Sequence, residues 1–389
     1  MCSINKACRI FRYFLETIKY LALYPVARMY YRNRRIYLLA ERGTDARDNA
    51  YHLYRFYRQN HPDIEAYYVV TNDSPDREKV RKLGNVVEYR SLKHYLLFIA
   101  AEYKISTHIM GCSPNMDFYA RFADRLHLPI KGNRIFLQHG VTKDHLPQLY
   151  RSRTNVNLFV CGAKPEYDFV SETFGYVDGE VKYTGLARYD ALHDTQMNRQ
   201  ILCMPTWRKY LKYDPDVPIR QSEYVIKWNS FLNNQQLVSA LRENNLKLVF
   251  YPHYEMQKHI DSFQSACDEV VIANFKDYDV QQLLKESQLL ITDYSSVYFD
   301  FAYMEKPVVY YQFDKARFFN EHYAIGYFDY ETMGFGEVSE KEDEIVEAVL
   351  RYINNQFEMS SDYRSRIANF FPLHDRQNCQ RIFEEIENL

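Results

Sequence analysis

The stretch ITDYSSVYFDFAYMEKPVVYY (291–311) contains a buried strand, a helix and a second buried strand in succession. The first strand ends in Asp293, and a helix is expected to begin at Ser295 or Ser296, both good N-cap residues. This order predicts two parallel strands joined by a crossover helix. The start of such a helix presents unpaired N–H groups and a partial positive charge, which allow backbone to hold a phosphate without a lysine.

The same alternation of apolar runs and amphipathic stretches continues on both sides of this segment. Strands are expected at 36–41, 65–70, 103–109, 134–140, 156–162, 181–185, 201–206, 246–253, 270–275, 287–293 and 307–313, and helices at 46–60, 76–83, 91–102, 164–174, 222–244, 279–286 and from about 296. This order predicts the α/β class, with two parallel sheets in tandem, each covered by helices on both faces.

The length of 389 residues fits two domains of common size. Residues 186–200 are polar and weakly periodic, and they form the predicted linker. We therefore expect a basic amphipathic segment at 1–35, a Rossmann-like domain at 36–190, and a second Rossmann-like domain at 191–389 that ends in a C-terminal helix.

The composition argues against several classes of function. The formal net charge is −2, from 49 basic and 51 acidic residues, so a nucleic-acid partner is not expected. The seven cysteines are scattered, without a CxxC pair or a histidine at metal-ligand spacing, which predicts a reduced compartment and no metal site. Glycine-rich fingerprints of dehydrogenases and P-loop NTPases are absent. Neither a signal peptide nor a spanning helix is expected, because charges interrupt the first apolar stretch.

The first 35 residues differ from the rest of the chain in charge. They hold eight lysines and arginines against Glu16 alone, a local charge of +7. Six apolar side chains share one face of a predicted helix: Phe11, Phe14, Leu15, Ile18, Leu21 and Ala22. Pro25 is expected to end or kink this helix. Such a helix either lies on an anionic membrane surface or docks on the protein with its basic face in water.

Polar residues that directly follow a predicted strand are the main candidates for function, since ligands bind beyond the carboxyl ends of parallel strands. His139, followed by Gly140, comes after one strand of the first half, and His253 comes after a strand of the second half. Histidine titrates near neutral pH, so His139 is a candidate general base and His253 could bond or protonate a pyrophosphate oxygen. Arg208 follows a third strand, where it could clamp a phosphate or form a salt bridge to a helix.

Four blocks at these strand ends together resemble the CDP-glycerol:poly(glycerophosphate) glycerophosphotransferase family of teichoic acid and capsule synthesis. The blocks are QHG (138–140), MPTWR (204–208), YPH (251–253) and ITDYSSVYFDFAYMEKPVVYYQFD (291–314), and the likeness runs from about residue 36 to the C-terminus. The resemblance implies a GT-B fold, with two Rossmann-like domains facing across a cleft, and peripheral association with the cytoplasmic face of the bacterial membrane. It also implies transfer of glycerol phosphate or ribitol phosphate from a CDP-linked donor to a lipid-linked or polymeric glycan acceptor, with release of CMP.

The resemblance also implies roles for individual residues. His139 would be the catalytic base, and His253 would be a pyrophosphate ligand or acid. The residues implied on the donor side are Thr206, Arg208, Asp293, Ser295 and Ser296. The residues implied on the acceptor side are Asp48, Asn49, Gly140 and Lys143. No metal or cofactor is implied besides the CDP-polyol substrate. The family commonly reads WHGTPLK where this chain reads QHGVTKD (138–144), so Lys143 stands one place early.

Two other functions remain open from the residues alone. A GT-B glycosyltransferase that uses a UDP- or GDP-sugar would share the fold and the phosphate-holding helix, and a comparison of thermal stabilisation by CDP, UDP and GDP separates the two enzymes. A non-catalytic membrane scaffold of envelope synthesis would share the basic N-terminal segment. The absence of stabilisation by any nucleotide would favour the scaffold.

Overall fold

The computed structural model describes residues 2–123, 125–213, 218–321 and 325–389, without the side chains of 2–8, 121, 212, 213 and 321. The chain divides into two compact units. The first unit contains residues 1–139, 147–191 and 375–389, and the second contains residues 140–146 and 192–374.

The first unit is built on a sheet whose seven described strands all run parallel. They are β1 (Ile36–Ala40), β2 (Glu65–Val70), β3 (Val86–Glu88), β4 (Tyr103–Ser106), β5 (Asn133–Phe136), β6 (Leu158–Cys161) and β7 (Val181–Tyr183). The order across the sheet is β3-β2-β1-β4-β5-β6-β7, so the winding direction reverses between β1 and β4. Ligands of open parallel sheets bind at such a switch point. Every residue of β1 is buried, as expected for a strand covered on both faces.

Helices cover the first sheet and connect its strands. They are α1 (Cys2–Tyr30), α2 (Asn49–Asn60), α3 (Arg77–Leu83), α4 (Leu92–Ala100), α5 (Met116–Arg121), α6 (Arg151–Thr154) and α7 (Lys164–Thr173), with 3₁₀ turns at Pro147–Leu149 and Ala187–Ala191. Helix α1 packs against α4 and continues through Pro25, so the helix does not end at this proline. Tyr20 and Ala27, on either side of Pro25, are fully buried, and this packing stabilises the helix across the proline.

The second unit has a sheet of six parallel strands within the described residues. They are β8 (Gln200–Cys203), β9 (Lys247–Phe250), β10 (Val270–Ile272), β11 (Leu289–Thr292), β12 (Val308–Tyr311) and β13 (Gly336–Ser339). The order is β10-β9-β8-β11-β12-β13, and the switch point lies between β8 and β11. All eleven strands expected from the sequence are present. The edge strands β3 and β13 were not expected, because β3 has only three residues and β13 has a single large apolar residue, Val338.

The helices of the second unit surround a core that contains the buried Trp228. They are α8 (Tyr210–Tyr213), α9 (Glu223–Leu232), α10 (Gln235–Glu243), α11 (Tyr254–Gln257), α12 (Val280–Glu286), α13 (Val297–Tyr303), α14 (Lys315–Glu321), α15 (Glu342–Asn354) and α16 (Ser361–Phe370), with 3₁₀ turns at Ile219–Gln221 and Ile260–Ser262. The single helix expected at 222–244 is two helices, α9 and α10. Asn233 ends the first, and the Asn234 side chain caps the second by accepting two backbone N–H bonds.

The last helix, α17 (Asn378–Glu387), belongs to the first unit, whereas its place in the chain had suggested the second. Asp190 accepts 2.9 Å hydrogen bonds from the backbone N–H groups of Asn378 and Cys379. A carboxylate at this position stabilises the N-terminus of a helix. Gly185 allows the close approach, because a Cβ atom there would lie 1.8 Å from Asn378 Oδ1. Part of the expected linker, up to residue 191, therefore serves as an anchor for α17.

Candidate active site

His139 lies at the carboxyl edge of the first sheet, directly after a strained turn. Gln138 has φ of +59°, in the left-handed region that few residues other than glycine adopt. The Gln138 side chain is buried, and its Nε2 donates to Val160 O at 2.6 Å and to Glu166 Oε1 at 2.9 Å. These bonds fix the turn, which leaves 71% of the His139 side chain exposed.

Asp48 orients the imidazole of His139. Its Oδ2 lies 2.5 Å from His139 Nδ1, while Oδ1 accepts from Arg188 Nη1 at 2.8 Å and from Asn49 N at 2.7 Å. Burial alone would raise the pKa of Asp48, but the charge of Arg188, followed by the interaction with His139, outweighs burial and holds this pKa well below its usual value. An ionised carboxylate only accepts hydrogen bonds, so Nδ1 carries a proton and Nε2 is the basic nitrogen of the neutral ring.

Asn49 and Arg188 hold the backbone on which this pair depends. The fully buried Asn49 side chain donates to Leu137 O at 3.2 Å and to Gln138 O at 2.9 Å. Its Oδ1 accepts from the backbone N–H of Arg188 at 3.0 Å, and Arg188 Nη1 also donates to His139 O at 2.9 Å. Arg188 was not among the expected site residues, because it lies in the segment assigned to the linker. The acceptor role predicted for Asn49 stays a prediction, and its amide is engaged with backbone.

Glu41 supports the same site from the end of β1. Its Oε1 accepts from the backbone N–H groups of Arg47 at 2.7 Å and of Asp48 at 2.5 Å. Burial and then the nearby charge of Asp48 raise the pKa of Glu41 well above its usual value. A neutral carboxyl beside Asp48 leaves Asp48 as the charged partner of His139.

A second histidine, His108, lies beside His139. It follows β4, the neighbour of β5, and the two ring centroids are 5.4 Å apart. Burial, and then the charges of His139 and Arg42, lower the pKa of His108 to about 4, so the ring is neutral near pH 7. His108 was not among the expected site residues, although it lies at the carboxyl end of the expected strand YKISTHI (103–109), where the strand-end rule applies.

Most of the predicted donor-side residues lie in or next to a buried ion-pair group of the second unit, formed by Arg208, Asp293 and Asp314 and called here the Arg208 centre. Arg208 donates to both oxygens of Asp314 at 2.6 and 2.9 Å, and its Nη1 lies 2.8 Å from Asp293 Oδ2. Burial alone would lower the pKa of Arg208, but the two carboxylates raise it well above its usual value. The rings of Tyr294 and Phe318 also face the guanidinium. The contact of Arg208 with donor phosphates stays a prediction, and in the structure the guanidinium is fully enclosed.

Asp293 connects the two strands at the switch point of the second sheet. Its Oδ1 accepts from the backbone N–H of Thr206, after β8, at 2.8 Å and from that of Tyr294, after β11, at 2.5 Å. Thr206 Oγ1 is buried and has no hydrogen-bond partner within the described ranges. Ser296 occupies the N-cap position of α13, following Ser295, but its side chain makes no capping hydrogen bond. Thr206, Arg208 and Asp293 thus contact one another, and α13 begins directly after Ser296, where a helix start was expected.

His253 lies at the end of β9, next to β8. It precedes α11, and its Nδ1 accepts from the backbone N–H of Glu255 at 3.2 Å. The ring of Trp207 lies nearly parallel to the imidazole, at 29°, with centroids 6.3 Å apart. The histidine that sequence analysis assigned to the pyrophosphate therefore lies at the same sheet edge as Thr206.

Gly140 and Lys143 follow His139 in sequence but belong to the second unit. Lys143 is buried, and its Nζ lies 2.7 Å from Asp144 Oδ2 and 5.6 Å from the centroid of the Tyr330 ring. The backbone passes so close to Gly326 that a Cβ atom there would lie 2.1 Å from Lys143 O. The acceptor-side residues predicted from the sequence are thus divided between the two units, and their role stays a prediction.

Within the parts of the chain that the structure describes, no group of three or more His, Cys, Asp or Glu side chains is arranged to hold a metal ion. No helix in those parts is both long enough and apolar enough to cross a membrane.

Comparison with known proteins connects this arrangement to a family. The family model of CDP-glycerol:poly(glycerophosphate) glycerophosphotransferases matches residues 22–388. The minor teichoic acid biosynthesis protein GgaB of Bacillus subtilis (strain 168) is 36% identical over 371 residues, which cover 91% of this chain and 40% of GgaB. The teichoic acid poly(glycerol phosphate) polymerase of the same strain is 24% identical over 382 residues, 93% of this chain and 49% of the polymerase. The chain spans about half the length, or less, of these relatives.

Solved structures show the same fold. The structure of the wall teichoic acid polymerase TagF matches with a TM-score of 0.68 at 16% identity and covers 97% of both chains. A putative UDP-N-acetylglucosamine 2-epimerase from Listeria monocytogenes matches with a TM-score of 0.56 at 11% identity, over 91% of this chain and 96% of the epimerase. The expected α/β class with two Rossmann-like units of the GT-B type is confirmed. Because the family model covers most of the chain, this protein belongs to the CDP-glycerol:poly(glycerophosphate) glycerophosphotransferase family.

Proposed function

We propose that this protein transfers glycerol phosphate, or a similar polyol phosphate such as ribitol phosphate, from a CDP-linked donor to a hydroxyl group. The acceptor is a lipid-linked or polymeric glycan of teichoic acid or capsule synthesis, and CMP is released. The observation that carries the proposal is the Asp48–His139 pair at the carboxyl edge of the first sheet, in a chain of this family. Curated relatives include polymerases of glycerol phosphate and of ribitol phosphate, which supports a polyol phosphate as the transferred group.

The chemistry is an in-line phosphoryl transfer. The acceptor oxygen attacks the phosphorus that bears the polyol, and its proton passes to Nε2 of His139. The bond from this phosphorus to the bridging oxygen breaks, and CMP leaves with the electron pair. Asp48 stabilises the imidazolium that forms, and a positioned base of this kind contributes roughly 10²- to 10⁴-fold to the rate. The donor itself supplies the phosphoryl group, so the proposal includes no further cofactor.

The second unit is proposed to hold the donor. Phosphoryl transfer depends on positioning and on stabilising charge more than on covalent chemistry. Thr206, with a buried hydroxyl that lacks a partner within the described residues, is placed against the donor phosphates together with Ser295 and Ser296. His253 hydrogen-bonds or protonates the pyrophosphate. The enclosed Arg208 centre acts on the donor through the backbone of Thr206, which Asp293 holds.

Release of CMP tests this function directly. Purified protein is incubated with CDP-glycerol or CDP-ribitol and a lipid-linked acceptor from cell envelopes, and CMP is quantified. We expect His139→Ala to lower the rate by about 10²- to 10⁴-fold while circular dichroism shows an intact fold. His127→Ala, at an exposed histidine of the same unit, is the control and keeps the wild-type rate. No release of CMP from either donor contradicts the proposed function, and an active His139→Ala enzyme removes His139 as the base.

Helix α1 is proposed to bind the cytoplasmic face of an anionic bacterial membrane. The apolar face predicted from the sequence points outward, with the side chains of Phe11 and Phe14 60% and 59% exposed. Exposed basic residues accompany it: Arg9, Arg12, Lys19 and Arg28. Another side of the helix packs on the first unit through Tyr20. A stripe of exposed aromatic and aliphatic side chains with adjacent positive charge suits a peripheral membrane contact.

Co-sedimentation with vesicles tests this contact. We expect the protein to sediment with phosphatidylcholine vesicles that contain phosphatidylglycerol, and high salt or the double substitution Phe11→Ser and Phe14→Ser to reduce the bound fraction. Leu92→Ser is the matched control, since Leu92 is an equally exposed apolar residue at the start of α4. Equal binding by the double variant and the wild type contradicts a role for this face.

A further inference from the structure

Two aromatic side chains are exposed at the carboxyl edge of the second sheet. Tyr254 follows β9 and Phe275 follows β10, and these strands are parallel neighbours. The rings contact each other at 71°, with centroids 5.8 Å apart. Tyr254 is 63% exposed and Phe275 is 42% exposed. Large aromatic residues exposed together at the edge where parallel sheets bind ligands mark a binding surface, called here the Tyr254–Phe275 ledge.

A buried glutamine fixes the backbone of the ledge. Gln257, the last residue of α11, donates from Nε2 to Pro252 O at 2.8 Å and to Ala273 O at 3.4 Å. Its Oε1 accepts from the backbone N–H of Phe275 at 3.1 Å. One side-chain amide therefore ties the ends of β9 and β10 together. Because the backbone is fixed in advance, a ligand that stacks on the ledge requires little further ordering.

The position of the ledge along the sheet edge indicates the shape of its ligand. In the order β10-β9-β8-β11, strand β10 lies three strand spacings from β11, which is roughly 14 Å. Thr206 follows β8 and Ser295 follows β11, so the residues proposed to contact the phosphates lie on the β8–β11 side of this edge. The ledge lies on the β10–β9 side. His253 directly precedes Tyr254 after β9, Trp207 directly follows Thr206 after β8, and the centroids of their rings are 6.3 Å apart. A molecule with phosphates at one end and a planar ring at the other matches this layout.

We propose that the Tyr254–Phe275 ledge is the platform on which the base of the donor nucleotide stacks. Every nucleobase has flat faces that stack on aromatic side chains, and the contact depends little on the identity of the base. The identity of the base as cytosine rests on the proposed function. The ledge contributes to the affinity for a nucleotide and contributes nothing to the affinity for phosphate alone.

Calorimetric titration of single variants of the full chain tests the ledge. Dissociation constants are measured for CDP, CMP and inorganic pyrophosphate with Tyr254→Ala, Phe275→Ala and Phe275→Tyr. We expect each alanine substitution to weaken the binding of CDP and CMP by roughly five- to a hundredfold, the range of base stacking on an aromatic residue. The affinity for pyrophosphate should not change. Phe275→Tyr retains the affinity, because it keeps the ring. Ile226→Ala, at an exposed apolar residue of α9, is the matched control.

The outcomes separate the ledge from the proposed function. The role proposed for the ledge is overturned if both alanine variants keep their affinity for CDP, or if they lose equal affinity for CDP and for pyrophosphate. A raised KM for the acceptor with an unchanged KM for the donor also overturns it. Wild-type protein that binds CDP but releases no CMP from a CDP-polyol overturns the proposed function and not the ledge. If the wild type prefers UDP, the cytidine donor is overturned, and the same losses measured with UDP support the ledge.

Discussion

His139 can accept a proton only at Nε2, because its Nδ1 faces a carboxylate that stays charged. The charge on Asp48 is maintained by Arg188, which donates to its other oxygen, and the low pKa of Asp48 reflects this arrangement. Arg188 also holds His139 O, so one guanidinium sets both the charge of the carboxylate and the position of the histidine backbone. At the scale of single residues, the tautomer and the position of His139 are therefore fixed by the fold itself.

Replacing Asp48 by asparagine should lower kcat by about 10²- to 10⁴-fold, with little change in the KM for the donor. The amide has the shape of the carboxylate, but it does not hold Nδ1 in the protonated tautomer or stabilise the imidazolium. Initial rates of CMP release measure the effect, with Asp63→Asn, at an exposed aspartate of the same unit, as the control. An Asp48→Asn enzyme within tenfold of the wild-type rate would remove the orienting role of Asp48.

His94 should make the stability of the first unit depend on pH. Its Nδ1 accepts from Arg90 N at 3.0 Å and its Nε2 lies 2.8 Å from Cys112 O, so the neutral ring uses both nitrogens. Burial is the main cause that lowers its pKa to about 4. The unfolded chain, with a pKa near 6.5, takes up this proton first. The contribution of His94 to stability is therefore complete above about pH 6.5 and is lost as the pH falls towards 4.

The measurement is urea unfolding followed by far-ultraviolet circular dichroism at several pH values between 7 and 4. His94→Gln should be less stable than the wild type at pH 7 but should lose less stability on acidification, by on the order of 3 kcal/mol. His108 titrates in the same pH window, so the free energy of unfolding of His94→Gln should still depend on pH, but less steeply than that of the wild type. His127→Gln is the exposed control. Parallel pH profiles of the wild type and His94→Gln would refute this role.

At the scale of helices and strands, contacts between distant parts of the chain set the boundaries that periodicity misplaced. The hydrophobic pattern of 222–244 runs on without interruption, but the cap at Asn234 divides it into α9 and α10. Helix α1 passes Pro25 because its flanking residues are buried against the first unit. Helix α17 joins the first unit because Asp190 binds its N-terminus. In each case a side-chain contact outweighs the local signal.

Removal of the carboxylate that anchors α17 should destabilise the first unit. Asp190→Ala leaves the N–H groups of Asn378 and Cys379 without their acceptor, and we expect a loss of about 1–2 kcal/mol in the free energy of unfolding. The midpoint of urea unfolding, read by circular dichroism, measures the loss. Gln380→Ala, on the same helix, is the control and should change the stability by less than about 0.5 kcal/mol. A midpoint unchanged in Asp190→Ala would show that α17 does not depend on this anchor.

At the scale of the whole molecule, the chain forms two units, and each has a hydrophobic core around its own parallel sheet. A chain with two cores need not unfold in one step. Both tryptophans of the sequence, Trp207 and Trp228, belong to the second unit, so tryptophan fluorescence follows that unit alone. This allows binding of a nucleotide to be assigned to one unit.

CDP should stabilise the unit that contains the tryptophans. At a concentration of one hundred times its Kd, a ligand that binds only the folded state adds about 2.7 kcal/mol to stability. Thermal unfolding followed by tryptophan fluorescence should therefore shift upward with CDP, and less with UDP or GDP at the same concentration. An equal shift with all three nucleotides, or no shift with CDP, would contradict a CDP-linked donor bound by the second unit.

The sequence by itself determined the α/β class and the eleven strands of high apolar content, because these depend on local periodicity. It also placed His139, His253 and Asp293 at strand ends, because the strands of such a sheet all run in the same direction. Four blocks of sequence also indicated the family. Only the tertiary structure revealed the two short edge strands, the return of α17, and the contributions of Arg188 and His108. It also showed that Arg208 is enclosed by carboxylates. The reason is separation along the chain: Arg188 lies 140 residues from Asp48, and Arg208 lies 106 residues from Asp314. Such contacts form only when the whole chain has packed, and no local pattern predicts them.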